Sequence, residues 1–265
     1  MRQPSWFIPH GGGPCFFMDW SPIGPADTWK GMEVFLRSLL DGAPRPRAVL
    51  VISAHWEAPD FTVNAAAQPP LLFDYHGFPP HTYRLQYPAP GDPVLAALVV
   101  ERIRGAGLPC ARIDDRGLDH GVFVPMLLID PPAQLPVVQL SLREGLDPAE
   151  HLRLGRALAP LRDEGVLILG SGMSFHDVRA LMRGDSARDA QVFDDWLTTA
   201  AVDAPDRRDA ALVDWQRAPG ARAAHPREEH LLPMMVAAGA AGDDVGTRVY
   251  SEPIMGNRVS AYRFG

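Results

Sequence analysis

Nine histidines stand among the 265 residues, and five of them sit where chemistry could be done. His10 closes the run Trp6-Phe7-Ile8-Pro9, and His55 closes Ala48-Val49-Leu50-Val51-Ile52-Ser53-Ala54. His176 follows Val166-Leu167-Ile168-Leu169-Gly170 across a short glycine turn. His120 lies in the glycine-flanked turn Gly117-Leu118-Asp119-His120-Gly121, and His230 follows two glutamates in Pro226-Arg227-Glu228-Glu229-His230. Imidazole is the commonest metal ligand and titrates near neutrality, so such a set suits metal binding or proton transfer. Any one of them, taken alone, is more simply a capping or packing residue. Three at equivalent strand ends, His10, His55 and His176, would emerge on one rim if their strands run parallel in one sheet. The spacings match no local zinc signature, with no HExxH, no CxxC pair and no close histidine pair. The residues therefore predict a metal centre assembled from distant segments, and they leave its chemistry open.

The elements that must position these side chains alternate between strand and helix. Ala48–Ile52 and Val166–Leu169 are apolar and rich in β-branched types, which fits strands buried on both faces. Further strands are expected at Phe61–Ala66, Cys110–Asp114, Leu135–Leu142, Thr247–Ser251 and Arg258–Phe264. Helices are expected at Thr28–Leu40, Asp92–Arg104, Val122–Ile129, Asp147–Arg162 and Ala187–Ala201, with another opening at Pro226 and kinked by Pro233. The stretch Ala204–Ala224, with Arg207, Arg208 and Asp209, reads as a partly helical solvated face, and His151 as solvated too. Alternation of this kind gives an α/β fold with a mostly parallel central sheet covered on both faces, here one domain over residues 1–265. In such sheets ligands bind beyond the carboxyl ends of the strands.

Between Gln68 and Pro93 lies a long loop dense in proline and aromatics, with Tyr75, His76, Phe78, His81, Tyr83 and Tyr87. Loops of that length are usually functional, and this one could wall a flat aromatic ligand or simply anchor itself to the domain. The glycines of Pro9-His10-Gly11-Gly12-Gly13-Pro14 lack the Lys-Ser/Thr of a phosphate loop and more simply clear room beside His10.

Composition narrows the function classes. A net charge of −7 and a pI near 5.7 give no electrostatic case for nucleic acid or an anionic membrane. No apolar run reaches the ~18 residues of a spanning helix. The N-terminus lacks the layout of a signal peptide, and Cys15 and Cys110 are too few for a disulfide framework, so a reducing cytoplasm is expected.

Taken together, the motifs resemble those of the class III extradiol ring-cleavage dioxygenases. The similarity is to the DOPA-dioxygenase type, related to the catalytic subunit of protocatechuate 4,5-dioxygenase. It spans nearly the whole chain through Pro9–Pro14, Ser53-Ala54-His55-Trp56, Gly77-Phe78-Pro79 with Tyr83, Tyr87–Gly91, Asp119-His120-Gly121, Gly170-Ser171-Gly172 with His176, and Glu229-His230-Leu231-Leu232-Pro233. The resemblance implies a three-layer α/β/α sandwich forming a single catalytic domain over residues 1–265. It implies a non-haem Fe(II) enzyme that uses O₂ to open a catechol, a small aromatic diol, to a muconic semialdehyde-type product. It implies His10, His55 and His230 as metal ligands, His176 as the acid–base histidine, and His120 as a hydrogen-bond partner of substrate or oxygen. Glu229 is a rival third ligand, because the protocatechuate branch uses a glutamate there, and His176 could join the ligands of a Zn(II)-loaded site. Asp177 follows His176 where the DOPA type often has asparagine; turned inward it would raise the basicity of that histidine. Two other functions fit the residues alone: a zinc hydrolase on the same ligands, and a non-catalytic binding protein of the same fold.

Overall fold

The apolar runs are strands at the centre of one sheet. The computed structural model describes all residues 1–265. Its strands are β1 (Ser5–Pro9), β2 (Ala48–Ala58), β3 (Phe61–Asn64), β4 (Cys110–Ile113), β5 (Val137–Arg143), β6 (Val166–Gly172), β7 (Gly246–Ile254) and β8 (Asn257–Phe264). They form an eight-stranded sheet in the order β4-β3-β5-β2-β6-β1-β8-β7. The inner four, β5-β2-β6-β1, are mutually parallel. The pairs β3–β5, β1–β8 and β7–β8 are antiparallel, and β3–β4 is parallel. Inner strands buried on both faces read as continuous apolar runs, which is why β2 and β6 stand out in the sequence.

The helices are α1 (Lys30–Arg37), α2 (Pro93–Gly105), α3 (His120–Ile129), α4 (Pro148–Leu158), α5 (Pro160–Asp163), α6 (Val178–Arg183), α7 (Ala187–Ala201), α8 (Pro205–Val213), α9 (Ala221–Ala224) and α10 (Leu232–Ala241). Asp92 and Asp147 cap α2 and α4 by accepting hydrogen bonds from backbone N–H groups of their first turns, with proline at the next position. Alternation along β6 sets the layers. Ser171 turns its hydroxyl to the Gly121 carbonyl of α3, whereas Gly170 and Gly172 face the backbone leading into and opening α10. Thus α3, with α1 beside it, covers one face, and α10, packed on α4, covers the other. This is the expected α/β/α sandwich. No helix is long and apolar enough to cross a membrane.

Four expectations are corrected. No helix opens at Pro226: residues 225–231 form turns, and Pro233 sits in the first turn of α10, where its missing N–H costs nothing. His230 consequently precedes the helix. The expected helix Asp147–Arg162 breaks at Pro160 into α4 and α5. His151 is fully buried, donating from Nδ1 to the Asp147 carbonyl (2.7 Å) and accepting at Nε2 from the Arg143 amide (3.3 Å). Arg208 is buried as well, donating to the carbonyls of Asp244 and Gly242 beyond α10. Helix C-terminal carbonyls need donors, and periodicity in charge alone does not show that demand.

Candidate active site

The C-terminal ends of β2, β6 and β1 lie side by side, and five histidines meet beyond them. His10 leaves β1 directly. His55 is presented differently from expectation, because β2 continues past it to Ala58. Ile52 pairs with Leu140 and Glu57 with Leu142, so Ser53–Trp56 oppose the single residue Ser141 of β5. This bulge turns His55 out of the ladder toward β1. His120 opens α3, and His176 follows the end of β6. His230 is carried to the rim by the turn before α10. Gly172 permits that approach: a Cβ there would lie 2.2 Å from the His230 carbonyl oxygen.

The Nε2 atoms of His10 and His55 are 3.0 Å apart, and those of His55 and His230 3.3 Å. A metal about 2.0–2.1 Å from each of three imidazole nitrogens holds them about 3.0–3.4 Å apart, so the donor set fits such an ion. Outer hydrogen bonds fix two of the tautomers. Ser171 Oγ donates to the Gly121 carbonyl and therefore accepts from His10 Nδ1 at 3.1 Å. Glu229 Oε1 accepts from His230 Nδ1 at 3.1 Å. Both rings thus turn an Nε2 lone pair inward, as a metal requires. Burial, reinforced by neighbouring imidazoles, holds His10 and His230 well below the ordinary histidine range. Burial likewise takes His55 down to about 3 and His176 to about 4, the latter opposed by Asp177. These four rings are therefore neutral at physiological pH.

His176 and His120 flank the three. The His176 ring stacks on His230 with centroids 3.3 Å apart, and its Nδ1 lies 3.7 Å from Glu229 Oε1. His120 lies over His55, with centroids 3.8 Å apart, and gives Nδ1–H to Asp74 at 2.7 Å. Asp74 also accepts the His120 amide at 3.0 Å. Burial pushes the Asp74 carboxyl up, but the hydrogen bonds from His120 outweigh it and leave it below the usual carboxylate range. Asp119, fully buried, accepts from Ser53 Oγ at 2.7 Å, and Ser53 Oγ in turn accepts the His55 amide at 3.2 Å. Burial raises the Asp119 carboxyl above its ordinary range despite that bond. Asp177 caps α6 by accepting from Ala180 N at 3.0 Å.

A cavity of about 440 Å³ opens above the histidines. Of the aromatic loop, only Tyr75 and Phe78 line it. Tyr83 bonds through its hydroxyl to the Phe78 amide (3.3 Å), His81 reaches the Phe17 carbonyl (3.0 Å), His76 is exposed, and Tyr87 is buried elsewhere. Trp56 packs under the Arg116 guanidinium, 4.6 Å from its ring centre, and does not wall the cavity. Reasoning from sequence missed Trp20, Ile23, Val178 and Met182 in the lining, and Asp74, Ser53 and Ser171 behind the histidines. Ser53 and Ser171 did carry a signal, since each is a polar residue closing an apolar strand, and they are register partners.

Comparison with known proteins defines the class of this fold and site. Residues 6–263 match the family of the catalytic LigB subunit of aromatic ring-opening dioxygenase, and the chain belongs to that family. It is 42% identical over 273 residues to dioxygenase tasH of Hapsidospora irregularis, covering 97% of this chain and 84% of that one. It is 39% identical over 247 residues to 4,5-DOPA dioxygenase extradiol of Beta vulgaris, covering 91% and 88%. The crystal structure of the uncharacterized protein JW3007 from Escherichia coli K12 superposes with a TM-score of 0.78 at 29% identity, covering 100% of both chains. The chain is an extradiol ring-cleaving oxidoreductase, and the hydrolase and non-catalytic functions are set aside.

Proposed function

We propose that the protein is a single-domain, cytoplasmic Fe(II) dioxygenase that opens the ring of a substituted catechol, DOPA-like or otherwise, to a muconic semialdehyde-type product. His10, His55 and His230 would hold the iron, and the convergence of their Nε2 atoms is the observation that carries this reading. Zn(II) suits the same nitrogens but brings no oxygen chemistry. When bound, Fe(II) supplies Lewis acidity to a catechol hydroxyl and a common meeting point for the diol and O₂.

The remaining roles belong to side chains. His120, with Nδ1–H committed to Asp74, offers Nε2 as an acceptor to a substrate hydroxyl. His176 is neutral and turns Nδ1 toward Glu229, so Nε2 takes the second hydroxyl proton and returns it during ring opening. Tyr75 and Phe78 line the cavity and give an aromatic ring an apolar wall to pack against. Neither nucleic acid nor a membrane has a part in this reaction.

The test is anaerobic loading with Fe(II), addition of a catechol, and admission of air. Oxygen uptake matched by a yellow ring-opened product is expected, and zinc-loaded protein should be inert. Absence of uptake with iron and every catechol tried would overturn the reading.

A further inference from the structure

Apart from the histidines and a glycine turn, the walls of the cavity are apolar: Trp20, Ile23, Tyr75, Phe78, Val178 and Met182. No aspartate, glutamate, lysine or arginine contributes to the lining. Charges on the adjoining segments are otherwise engaged, Glu229 by His230. Asp74 holds His120, Asp177 caps α6, and Arg227 is paired with Glu57 at 2.5 and 2.6 Å. Arg179 and Arg183 of α6 lie outside the lining. At the mouth, three large apolar side chains face water: Ile23 is 42% exposed, Val178 56% and Met182 63%. Val178 and Met182 are one turn apart on α6, so they share a face, and Ile23 comes from a separate loop. A single exposed apolar residue is ordinary, but three around the mouth of a site already apolar inside form a binding wall. The cavity volume is within the range that takes more than one ring.

We infer that the substrate is a catechol bearing an uncharged alkyl or aryl substituent, which lies against Ile23, Val178 and Met182 while the diol faces the histidines. This rests on the ring-cleavage reading above. A carboxylate or ammonium on the substituent would shed water here without gaining a partner.

The Fe(II)-loaded protein should be assayed by oxygen uptake on ethylcatechol, butylcatechol, dihydroxyphenylacetate and dihydroxyphenylalanine. Each methylene that reaches the wall is expected to raise kcat/KM about fourfold. The two charged catechols should fall at least about tenfold below ethylcatechol. Equal or better use of either charged compound would overturn the inference. Val178→Lys and Met182→Lys, at exposed positions that tolerate substitution, should shift the dihydroxyphenylacetate-to-butylcatechol ratio about two- to fivefold toward the acid. Bound iron should be unchanged in both, and an unmoved ratio removes these side chains from the substrate wall. Quenching of tryptophan fluorescence under anaerobic conditions, to which Trp20 in the lining contributes, gives a binding order independent of turnover. Butylcatechol should bind tighter than dihydroxyphenylacetate, and the reverse order refutes the preference. Retention of that order in a protein that consumes no oxygen would sink the reaction and support the preference.

Discussion

Removing an imidazole from the inward-facing triad differs in consequence from removing one beside it. His10→Ala and His55→Ala should release the metal, read as loss of stoichiometric iron after desalting. His176→Ala should keep iron while turnover falls about 10²–10⁴-fold; loss of iron in that variant would move His176 into the ligand set. Asp74→Asn removes the charged acceptor that orients His120. Turnover is expected to fall about 10–100-fold with iron content intact. A buried histidine outside the cluster adds to acid sensitivity. Burial lowers His151 to about 4 from an ordinary 6.5, so the unfolded chain takes up a proton that the native one refuses as pH falls through that window. Its contribution is therefore complete above pH 6.5 and is lost toward pH 4. Between pH 7 and pH 5, urea unfolding of wild type should lose about 2 kcal/mol more than that of His151→Leu.

At the scale of elements, Gly172 is where β6 and the turn before α10 come closest. Gly172→Val sets a branched side chain against the His230 backbone, so it should cost about 1–3 kcal/mol and also lower iron content. Calorimetry with metal analysis reads both, and a destabilised variant with full iron would argue that His230 is placed independently of β6. The contrast between strands explains what the sequence made legible. The buried strands β2 and β6 announce themselves by continuous Val, Leu and Ile, and the histidines that follow them by position. The bulge in β2 does not, because the pairing of Ser53–Trp56 against one residue depends on Ser141 in a strand 80-odd residues away. Nor does Asp74, whose partner His120 is 46 residues distant and whose neighbours Tyr75 and Phe78 draw attention to themselves instead. Ile23 and Met182 look like ordinary surface residues until two unrelated segments meet at one mouth.

Across the whole molecule, the proposed ligands His10, His55 and His230 come from both ends and the first third of the chain. Anything that binds all three ties β1, β2 and the approach to α10 together, and such binding stabilises the native state by mass action. At a hundredfold excess over Kd, Fe(II) should add about 2.7 kcal/mol. For a chain of this size the melting temperature should then rise by about 5–10 °C. The rise should vanish in His10→Ala, and an equal rise in that variant would show that iron stabilises from another site.

The interrupted ladder of β2 has a dynamic corollary. Along Val49–Ile52 strand β2 is in register with both its neighbours, but His55 gives its amide to the hydroxyl of Ser53 two residues back. Such a local bond opens without disturbing the sheet, so the amide hydrogens of residues 54–56 should trade for deuterium faster than those on either side of them. Ligation of the His55 ring would clamp that short arc against β1. Slowed deuterium uptake in one peptide spanning the bulge thus offers a label-free gauge of occupancy, independent of any substrate.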